Sequence, residues 1–346
     1  MKGRSSVADE RTARPTALMA MAAGLSDQFF SPALRQRLDE FVDVVPDLVV
    51  QDFSSAPARA ALARAEVLIT GWFCPPVTAA VLDDAPNLRA IVHAAGSVKG
   101  HLAPACWDRG IVVSTAASAN ALPVAEYTLA AILSAAKGMR QIERVYRSRR
   151  AYVDLVAEYP GIGTYRRTVG IVGASRIGRR VAELLRPFDL VLSIHDPYLS
   201  APEAAALGAQ LTTLDELLAG SDIVTLHAPL LPSTRHLIDA AALARMPDDA
   251  TLINTARGAL VDQDALVAEL VTGRLNAVLD VTEPEVLPSD SPLFDLPNVV
   301  LTPHMAGAQG NELHRLAASA VEEVRRYVTG EPFAHPVVVR DLARIA

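Results

Sequence analysis

Short, continuously apolar runs alternate with stretches of helical periodicity along the second half of the chain, and this alternation constrains the fold more than any other feature. The apolar runs cover residues 168–172, 190–195, 223–227, 250–254, 277–280 and 299–302. The helical stretches between them cover residues 177–185, 214–219, 240–245 and 263–272. A strand that is apolar along its whole length is typical of a parallel sheet with helices on both faces. The pattern therefore predicts an α/β fold with a doubly wound sheet of six parallel strands.

The first part of the chain repeats this alternation on a smaller scale. Its apolar runs cover residues 17–22, 43–45, 67–70, 90–94 and 111–114, with helical stretches at residues 31–41 and 56–65. This pattern predicts a second, smaller parallel α/β unit. One long helix is expected over residues 120–149, and an amphipathic helix over residues 311–329 is expected to pack back on the first unit.

Length and composition exclude several classes of protein. The 346 residues suffice for about two domains, and a hydrophobic share of 51% is that of a compact globular protein rather than a disordered chain. Lys+Arg 32 against Asp+Glu 39 leaves a net charge of −7 with the basic residues scattered, so we expect no nucleic-acid partner. No run approaches the ~20 apolar residues of a membrane helix, so no membrane partner is expected.

Cysteine usage and the first apolar run bear on the location of the protein. The two cysteines, Cys74 and Cys106, lie in no cluster with zinc-ligand spacing, so we expect no metal and a reducing, cytoplasmic environment. Residues 17–25 are apolar and follow several basic residues, as in a signal peptide. They are short, lack a clear cleavage site and continue into domain-like sequence, which favours a buried first strand.

A strand, a turn and a helix follow one another in TVGIVGASRIGRRVAELL, residues 168–185. The dinucleotide fingerprint GxGxxG has glycines where the chain turns, approaches the pyrophosphate and packs helix against strand. Gly173, Ser175 and Gly178 occupy these places, so Ser175 adds a Cβ where phosphates would lie. Asp196 ends the next predicted strand, where a carboxylate binds ribose hydroxyls and repels a 2′-phosphate. We predict binding of NAD rather than NADP, the alternative being an ordinary strand-to-helix turn.

Four polar side chains follow the last three predicted strands. Arg257 follows the fourth strand, Asp280 and Glu285 end or follow the fifth, and His304 follows the sixth. The carboxyl ends of parallel strands form the edge at which open α/β sheets bind ligands. A guanidinium can hold a 2-keto acid by two hydrogen bonds, and a histidine beside a carboxylate can protonate the carbonyl oxygen. Singly, each could be a surface ion pair or a hydrogen-bonded residue, but together they predict a catalytic site.

These motifs together resemble one family. VGIVGASRIGR, HDPY, INTARGALVDQDAL, LDVTEPEVLP and NVVLTPHMAG are similar to the ordered signatures of the D-isomer-specific 2-hydroxyacid dehydrogenases, and NALPVAEYTLAAIL is similar to the helix that opens their cofactor domain. The resemblance implies two Rossmann-like domains. An NAD-binding domain at residues 119–307 is inserted between two parts of a substrate domain, residues 16–118 and 308–346. A homodimer is also implied, with the helix from residue 120 as a contact.

The resemblance assigns roles to individual residues. It implies that Arg257 binds the substrate carboxylate and carbonyl, that His304 is the general acid/base and that Glu285 is its carboxylate partner. Asp280 would contact the nicotinamide carboxamide. The other residues that we expect to bind the cofactor are Gly173, Ser175, Arg176, Ile177, Gly178, Asp196, His227 and Thr255.

Two segments of the first domain are expected to meet the substrate. HAAGSVKG is similar to a glycine loop whose backbone amides hold the substrate carboxylate, which implies this role for Gly96 and Ser97. After residue 70, Trp72 and Phe73 offer apolar faces without a cation, so we expect an uncharged substrate side chain. Packing in the core or in a dimer is the alternative for both rings.

The sequence favours one function and leaves others open. The leading prediction is an NAD-dependent oxidoreductase that interconverts a 2-keto acid and a D-2-hydroxy acid. The alternatives are an NAD(H)-sensing regulator, similar to the corepressors of this fold, and a phosphite dehydrogenase-like enzyme. Arg257, Glu285 and His304 together favour turnover. A formate dehydrogenase is disfavoured because that branch pairs its histidine with glutamine.

Overall fold

The computed structural model describes residues 14–342, which form two compact units. The first unit comprises residues 14–120 and 310–342, and the second comprises residues 121–309. Residues 343–346, which the sequence analysis assigns to the substrate domain, lie outside the described part.

The first unit is built on a parallel sheet. Its strands are β1 (Thr16–Ala20), β2 (Asp43–Val50), β3 (Val67–Thr70), β4 (Ala90–His93) and β5 (Val112–Thr115). They pair in the order β2-β1-β3-β4-β5. Every residue of β3 and β4 is buried, as expected for central strands that are covered on both faces. The predicted buried first strand is confirmed by β1, which ends at Ala20.

The second unit contains a larger parallel sheet. Its strands are β6 (Thr168–Val172), β7 (Val191–His195), β8 (Gln210–Leu211), β9 (Ile223–Leu226), β10 (Thr251–Asn254), β11 (Asn276–Leu279) and β12 (Val299–Leu301). The order is β12-β11-β10-β9-β6-β7-β8, with β6 and β9 paired at the centre. The predicted count of six strands was wrong, because the sheet has a seventh strand, β8. This strand has two residues and pairs with β7 at the sheet edge. Two residues are too few to produce an apolar run.

Helices connect the strands in both units. They are α1 (Leu25–Phe29), α2 (Pro32–Asp39), α3 (Ala56–Leu62), α4 (Ala79–Asp83), α5 (Ala105–Asp108), α6 (Ala117–Ala136), α7 (Met139–Arg149), α8 (Leu155–Glu158), α9 (Arg176–Leu185), α10 (Ala201–Ala206), α11 (Leu214–Gly220), α12 (Ala240–Arg245), α13 (Gln263–Thr272), α14 (Leu313–Val328) and α15 (Val339–Leu342).

Helices cover both faces of the larger sheet. On one face the core includes residues of α11, α12 and α13, and on the other it includes residues of α6, α9 and α10. Polar caps fix where several of these helices begin. For example, Asp239 and Asp262 accept the backbone N–H groups of Ala242 and Ala265 at the starts of α12 and α13. The predicted doubly wound α/β fold is confirmed.

The single helix expected over residues 120–149 is instead two helices, α6 and α7. Gly138 separates them with a φ of 59°, the left-handed conformation that glycine adopts without a Cβ penalty. The apolar spacing of the sequence continues past Gly138, but the helical backbone does not. The carbonyl of Ala136 accepts the N–H of Gly163 instead of that of a helical partner. No residue of α7 is buried.

The amphipathic helix α14 belongs to the first unit. Its apolar stripe includes Leu313, Leu316 and Val324, all buried, and it packs against α1, α2 and β4. The hydroxyl of Tyr327 donates a 2.6 Å hydrogen bond to Glu66. Among residues 14–342, no helix has the length and hydropathy needed to cross a membrane.

Candidate active site

The fingerprint turn between β6 and α9 needs glycine at two of its three places. Gly173 has a φ of 99°, and a Cβ there would lie 2.6 Å from the backbone nitrogen of Ala228. A Cβ on Gly178 would lie 2.0 Å from the carbonyl oxygen of Gly173. Neither distance is tolerable between non-bonded atoms. The tight turn and the close packing of α9 on β6 therefore both depend on these glycines.

Ser175 stands at the second glycine place and caps helix α9. Its φ of −64° is ordinary for any residue, so its Cβ causes no backbone strain. Its side-chain oxygen accepts the N–H of Gly178 at 3.4 Å. A serine is among the preferred residues at a helix N-cap. The departure from GxGxxG thus supplies a cap, a role that the sequence analysis did not predict for Ser175.

Asp196 follows β7 and lies beside the turn. One carboxylate oxygen accepts the N–H of Ala174 at 2.7 Å, and the other accepts the N–H of Tyr198 at 2.8 Å. Arg176 and Ile177 form the first turn of α9, which begins at Arg176, and a helix N-terminus favours phosphate groups. The half-buried carboxylate retains further lone pairs. The glycine turn, the N-terminus of α9 and the Asp196 carboxylate therefore fit a dinucleotide whose adenosine ribose carries no 2′-phosphate.

His227 directly follows β9 and lies close to Gly173 and Gly178 of the fingerprint turn. It is buried, its Nε2 pairs with the hydroxyl of Thr225 at 3.0 Å, and its Nδ1 is buried without a partner among the described residues. Burial lowers the pKa of His227 to about 3, so the ring is neutral. Thr255 is also buried, but its hydroxyl contacts that of Thr128 in α6 at 3.1 Å and so serves helix packing.

His304 and Glu285 are brought together in the second unit. His304 Nδ1 is hydrogen-bonded to Glu285 Oε1, and both side chains are about half exposed. The Arg257 guanidinium lies within electrostatic range of Glu285. Burial lowers the pKa of Arg257, and the Glu285 carboxylate opposes that shift. The structure thus brings Arg257, Glu285 and His304 into one group at the carboxyl ends of β10, β11 and β12.

Asp280 holds the loop that carries His304. Its carboxylate is 1% exposed and accepts the Thr302 hydroxyl at 2.6 Å, the Met305 N–H at 2.8 Å and the Ala306 N–H at 2.9 Å. Its carbonyl accepts the His304 N–H at 2.8 Å. His304 has a φ of 52°, an uncommon conformation for a non-glycine residue, which these bonds maintain. Contact between Asp280 and the nicotinamide stays a prediction.

Two residues in this region were missed by the sequence analysis. Gly258 follows Arg257, and a Cβ there would lie 2.1 Å from the carbonyl carbon and oxygen of Thr282. The lack of a side chain therefore lets the Arg257 loop approach the loop that leads to Glu285. The hydroxyl of Tyr127, in α6, lies 2.8 Å from the Thr302 hydroxyl, which itself bonds to Asp280. Both residues lie within the quoted motifs INTARGALVDQDAL and NALPVAEYTLAAIL, but their roles depend on tertiary contacts that the sequence does not show.

The predicted substrate-binding residues of the first unit lie in two loops. Gly96 and Ser97 are half-buried after β4. Trp72 is half-buried after β3 and packs edge-on against Phe29, with ring centroids 5.3 Å apart. Core packing, the alternative to substrate contact, therefore accounts for part of the Trp72 ring surface. Phe73 is 84% exposed with a φ of 59°. The structure thus gives Trp72 a packing partner and leaves the ring of Phe73 open.

Comparison with known proteins bears on the family of the chain. Residues 129–306 match the family model described as "D-isomer specific 2-hydroxyacid dehydrogenase, NAD binding domain". The D-3-phosphoglycerate dehydrogenase of Mycobacterium bovis is 37% identical over 256 residues, 74% of this chain and 48% of that protein. The chain belongs to the D-isomer specific 2-hydroxyacid dehydrogenase family. The resemblance noted from the motifs is confirmed, and so is the expectation of NAD as the cofactor.

Two further proteins are similar to the chain over most of their length. The glyoxylate reductase of Korarchaeum cryptofilum is 35% identical over 261 residues, 74% of this chain and 78% of that protein. The structure of D-lactate dehydrogenase from Aquifex aeolicus, complexed with NAD and lactic acid, superposes with a TM-score of 0.68 at 27% identity, covering 91% of this chain and 96% of that one. The chain spans about half the length of the phosphoglycerate dehydrogenases that it matches.

Proposed function

We propose that the protein is an NAD-dependent dehydrogenase that interconverts a 2-keto acid and a D-2-hydroxy acid. The observation that carries this proposal is the hydrogen bond between His304 and Glu285, with Arg257 in electrostatic range of the same carboxylate. This cluster joins a proton donor, its orienting carboxylate and an anion-binding guanidinium, the combination that reduction of a 2-keto acid needs.

In the proposed mechanism the three side chains have separate tasks. Arg257 binds the carboxylate and carbonyl oxygen of a 2-keto acid by paired hydrogen bonds. His304 donates a proton to the carbonyl oxygen during reduction and accepts it during oxidation. Glu285 is hydrogen-bonded to Nδ1 of His304 and so orients the ring, which leaves Nε2 as the nitrogen that faces the substrate. NADH, held by the residues of the fingerprint turn, would supply the hydride for reduction of the carbonyl.

The residues that would hold NAD lie around the fingerprint turn. We propose that the first turn of α9, with Ser175, Arg176 and Ile177, meets the pyrophosphate and that Asp196 accepts the ribose hydroxyls. Gly173 and Gly178 allow the close approach of the backbone there. The buried Nδ1 of His227, which has no partner among residues 14–342, supports a polar contact from the cofactor side.

An uncharged substrate side chain is the finer part of the proposal. Gly71, Trp72, Phe73, Cys74 and Pro75 form the loop after β3 and carry no cation. A phosphorylated substrate would need Arg or Lys to balance its charge. We therefore propose glyoxylate, pyruvate or larger apolar 2-keto acids over phosphohydroxypyruvate, although several of the relatives are named phosphoglycerate dehydrogenases.

Assembly and location are part of the same proposal. We propose a homodimer, which is supported by the absence of buried residues in α7 and by the exposed Met139 and Tyr146 on it. A cytoplasmic location, without nucleic-acid or membrane partners, is supported by the sequence composition. Light scattering of the purified protein measures the oligomeric state directly.

Steady-state oxidation of NADH tests the proposed activity. The panel is glyoxylate, pyruvate, hydroxypyruvate, phenylpyruvate and phosphohydroxypyruvate, with NADH binding measured separately by fluorescence. Turnover with at least one unphosphorylated acid is expected. NADH binding without turnover of any of them would contradict the enzyme and favour a cofactor-sensing protein. If phosphohydroxypyruvate is the best substrate, the proposal that the loop after β3 selects an uncharged side chain is wrong. The proposed dehydrogenase activity would still stand.

A further inference from the structure

A row of three buried polar side chains crosses the carboxyl edge of the first unit's sheet. Thr70, His93 and Thr115 are the last residues of β3, β4 and β5, and they are register partners across the sheet. Each is buried, with exposures of 0%, 2% and 7%. Thr70 and His93 each end an otherwise apolar strand, and Thr115 follows Ser114 in β5. Buried polar groups are costly unless they are hydrogen-bonded, so their partners matter.

The partners of this row lie mostly in the Gly96 loop. The Thr115 hydroxyl donates to the carbonyl oxygens of Ala95, at 2.8 Å, and of Gly96. His93 is hydrogen-bonded to the backbone of Ser97, and its Nδ1 pairs with the Thr70 hydroxyl at 2.8 Å. Burial lowers the pKa of His93 to about 3. The ring is therefore neutral.

This arrangement fixes the direction of the loop amides. In a trans peptide the carbonyl of one residue and the N–H of the next point in opposite directions. Because Thr115 holds the Ala95 and Gly96 carbonyls toward the sheet, the N–H groups of Gly96 and Ser97 point away from it. Neither N–H has an acceptor within the described part of the chain. Successive outward N–H groups form a concave site for an anion.

We propose that Thr115 is a positioning residue for carboxylate binding, and that it acts by turning the Gly96 and Ser97 amides toward the substrate. The proposal rests on the proposed function, because a 2-keto acid is the expected source of the carboxylate. It goes beyond the amides themselves, since the Thr115 hydroxyl is buried and engaged by the Ala95 and Gly96 carbonyls.

The experiment compares three single variants of the full chain. Thr115→Val keeps the shape of the side chain and removes the hydroxyl, and Thr115→Ser restores a hydroxyl. Ser114→Ala is the matched control, because Ser114 precedes Thr115 in β5, is fully buried and has a hydroxyl without a partner among the described residues. Measured quantities are KM and kcat for the best keto acid, the Kd of oxalate in the presence of NAD, the Kd of NADH, and the melting temperature.

For Thr115→Val we expect the KM of the keto acid and the Kd of oxalate to rise about tenfold, the effect of one lost hydrogen bond, with kcat and the Kd of NADH changed less than threefold. Thr115→Ser should recover most of the affinity, and Ser114→Ala should match the parent.

A lower melting temperature with unchanged KM and oxalate Kd would overturn the proposal. Should the parent turn over no keto acid, the proposed function fails, and the oxalate titration alone decides the role of Thr115. A parent that does not bind oxalate would overturn it as well.

Discussion

Replacement of Gly258 by alanine should separate the two loops that carry Arg257 and Glu285. The added Cβ would lie 2.1 Å from the Thr282 carbonyl and 2.7 Å from the Glu283 nitrogen. All these atoms are backbone and cannot rotate away, so the loops must move apart by about 1 Å. A displacement of that size in an active site can cost about 100-fold in rate. We therefore expect kcat/KM to fall about 100-fold and stability to fall by about 1–3 kcal/mol.

The assay measures kcat/KM from NADH oxidation, at a temperature where parent and variant are both folded, together with the Kd of NADH. The Kd should change little, because the fingerprint turn packs against residues 227 and 228 rather than against Gly258. Gly220→Ala is the control, since no atom lies within 4 Å of its added Cβ, and it should leave activity unchanged. A Gly258→Ala enzyme with the kcat/KM of the parent would refute the argument that close approach of these loops is needed.

Four further predictions concern the cofactor, the proton donor and stability. Asp196→Ala should weaken the preference for NADH over NADPH, measured as the ratio of kcat/KM values, because the carboxylate that repels a 2′-phosphate is gone; equal values in the parent would contradict this role. His304→Ala should lower kcat by about 10²–10⁴ while NADH still binds, and a smaller loss would remove His304 as the general acid. Ser175→Gly should cost only a few tenths of a kcal/mol in urea unfolding and leave NADH binding unchanged or tighter; a large loss of affinity would instead mean that the hydroxyl binds phosphate. The folded pKa of His227, about 3, is below that of an unfolded histidine, about 6.5, so the stability gained by its neutral burial is present above pH ~6.5 and declines as pH falls, by about 1–2 kcal/mol at pH 5. His227→Asn should reduce this slope between pH 7 and pH 5 without abolishing it, because buried His93 has a similarly lowered pKa, and an unchanged slope would show that His227 does not contribute to it.

Much of the fold could be predicted because burial on both faces leaves a direct record in the sequence. The run at residues 168–172 was predicted with the bounds of β6, since every residue of a central parallel strand must be apolar or small. Helix α13 was predicted with its observed bounds from helical periodicity, and in the structure Asp262 caps its start and Gly273 ends it. The break at Gly138 was not predicted, because apolar spacing continues through it and a glycine inside a helix is tolerated.

The candidate site was predictable where chemistry follows strand ends and not where it depends on tertiary contact. His304, Glu285 and Arg257 stand out because reactive side chains follow apolar runs. Thr115 leaves no comparable signal, because one polar residue at the end of a strand has many roles. Gly258 likewise needs the approach of a peptide that is distant in sequence to explain it.

The configuration of the product tests the central claim most directly. The best unphosphorylated keto acid of the panel, if it has a prochiral carbonyl, is reduced with NADH and the hydroxy acid is resolved by chiral chromatography. A single D-enantiomer, formed in equal amount to the NADH consumed and lost in His304→Ala, is the predicted result. An L-enantiomer, a racemate, or NADH consumption without a 2-hydroxy acid would contradict the account.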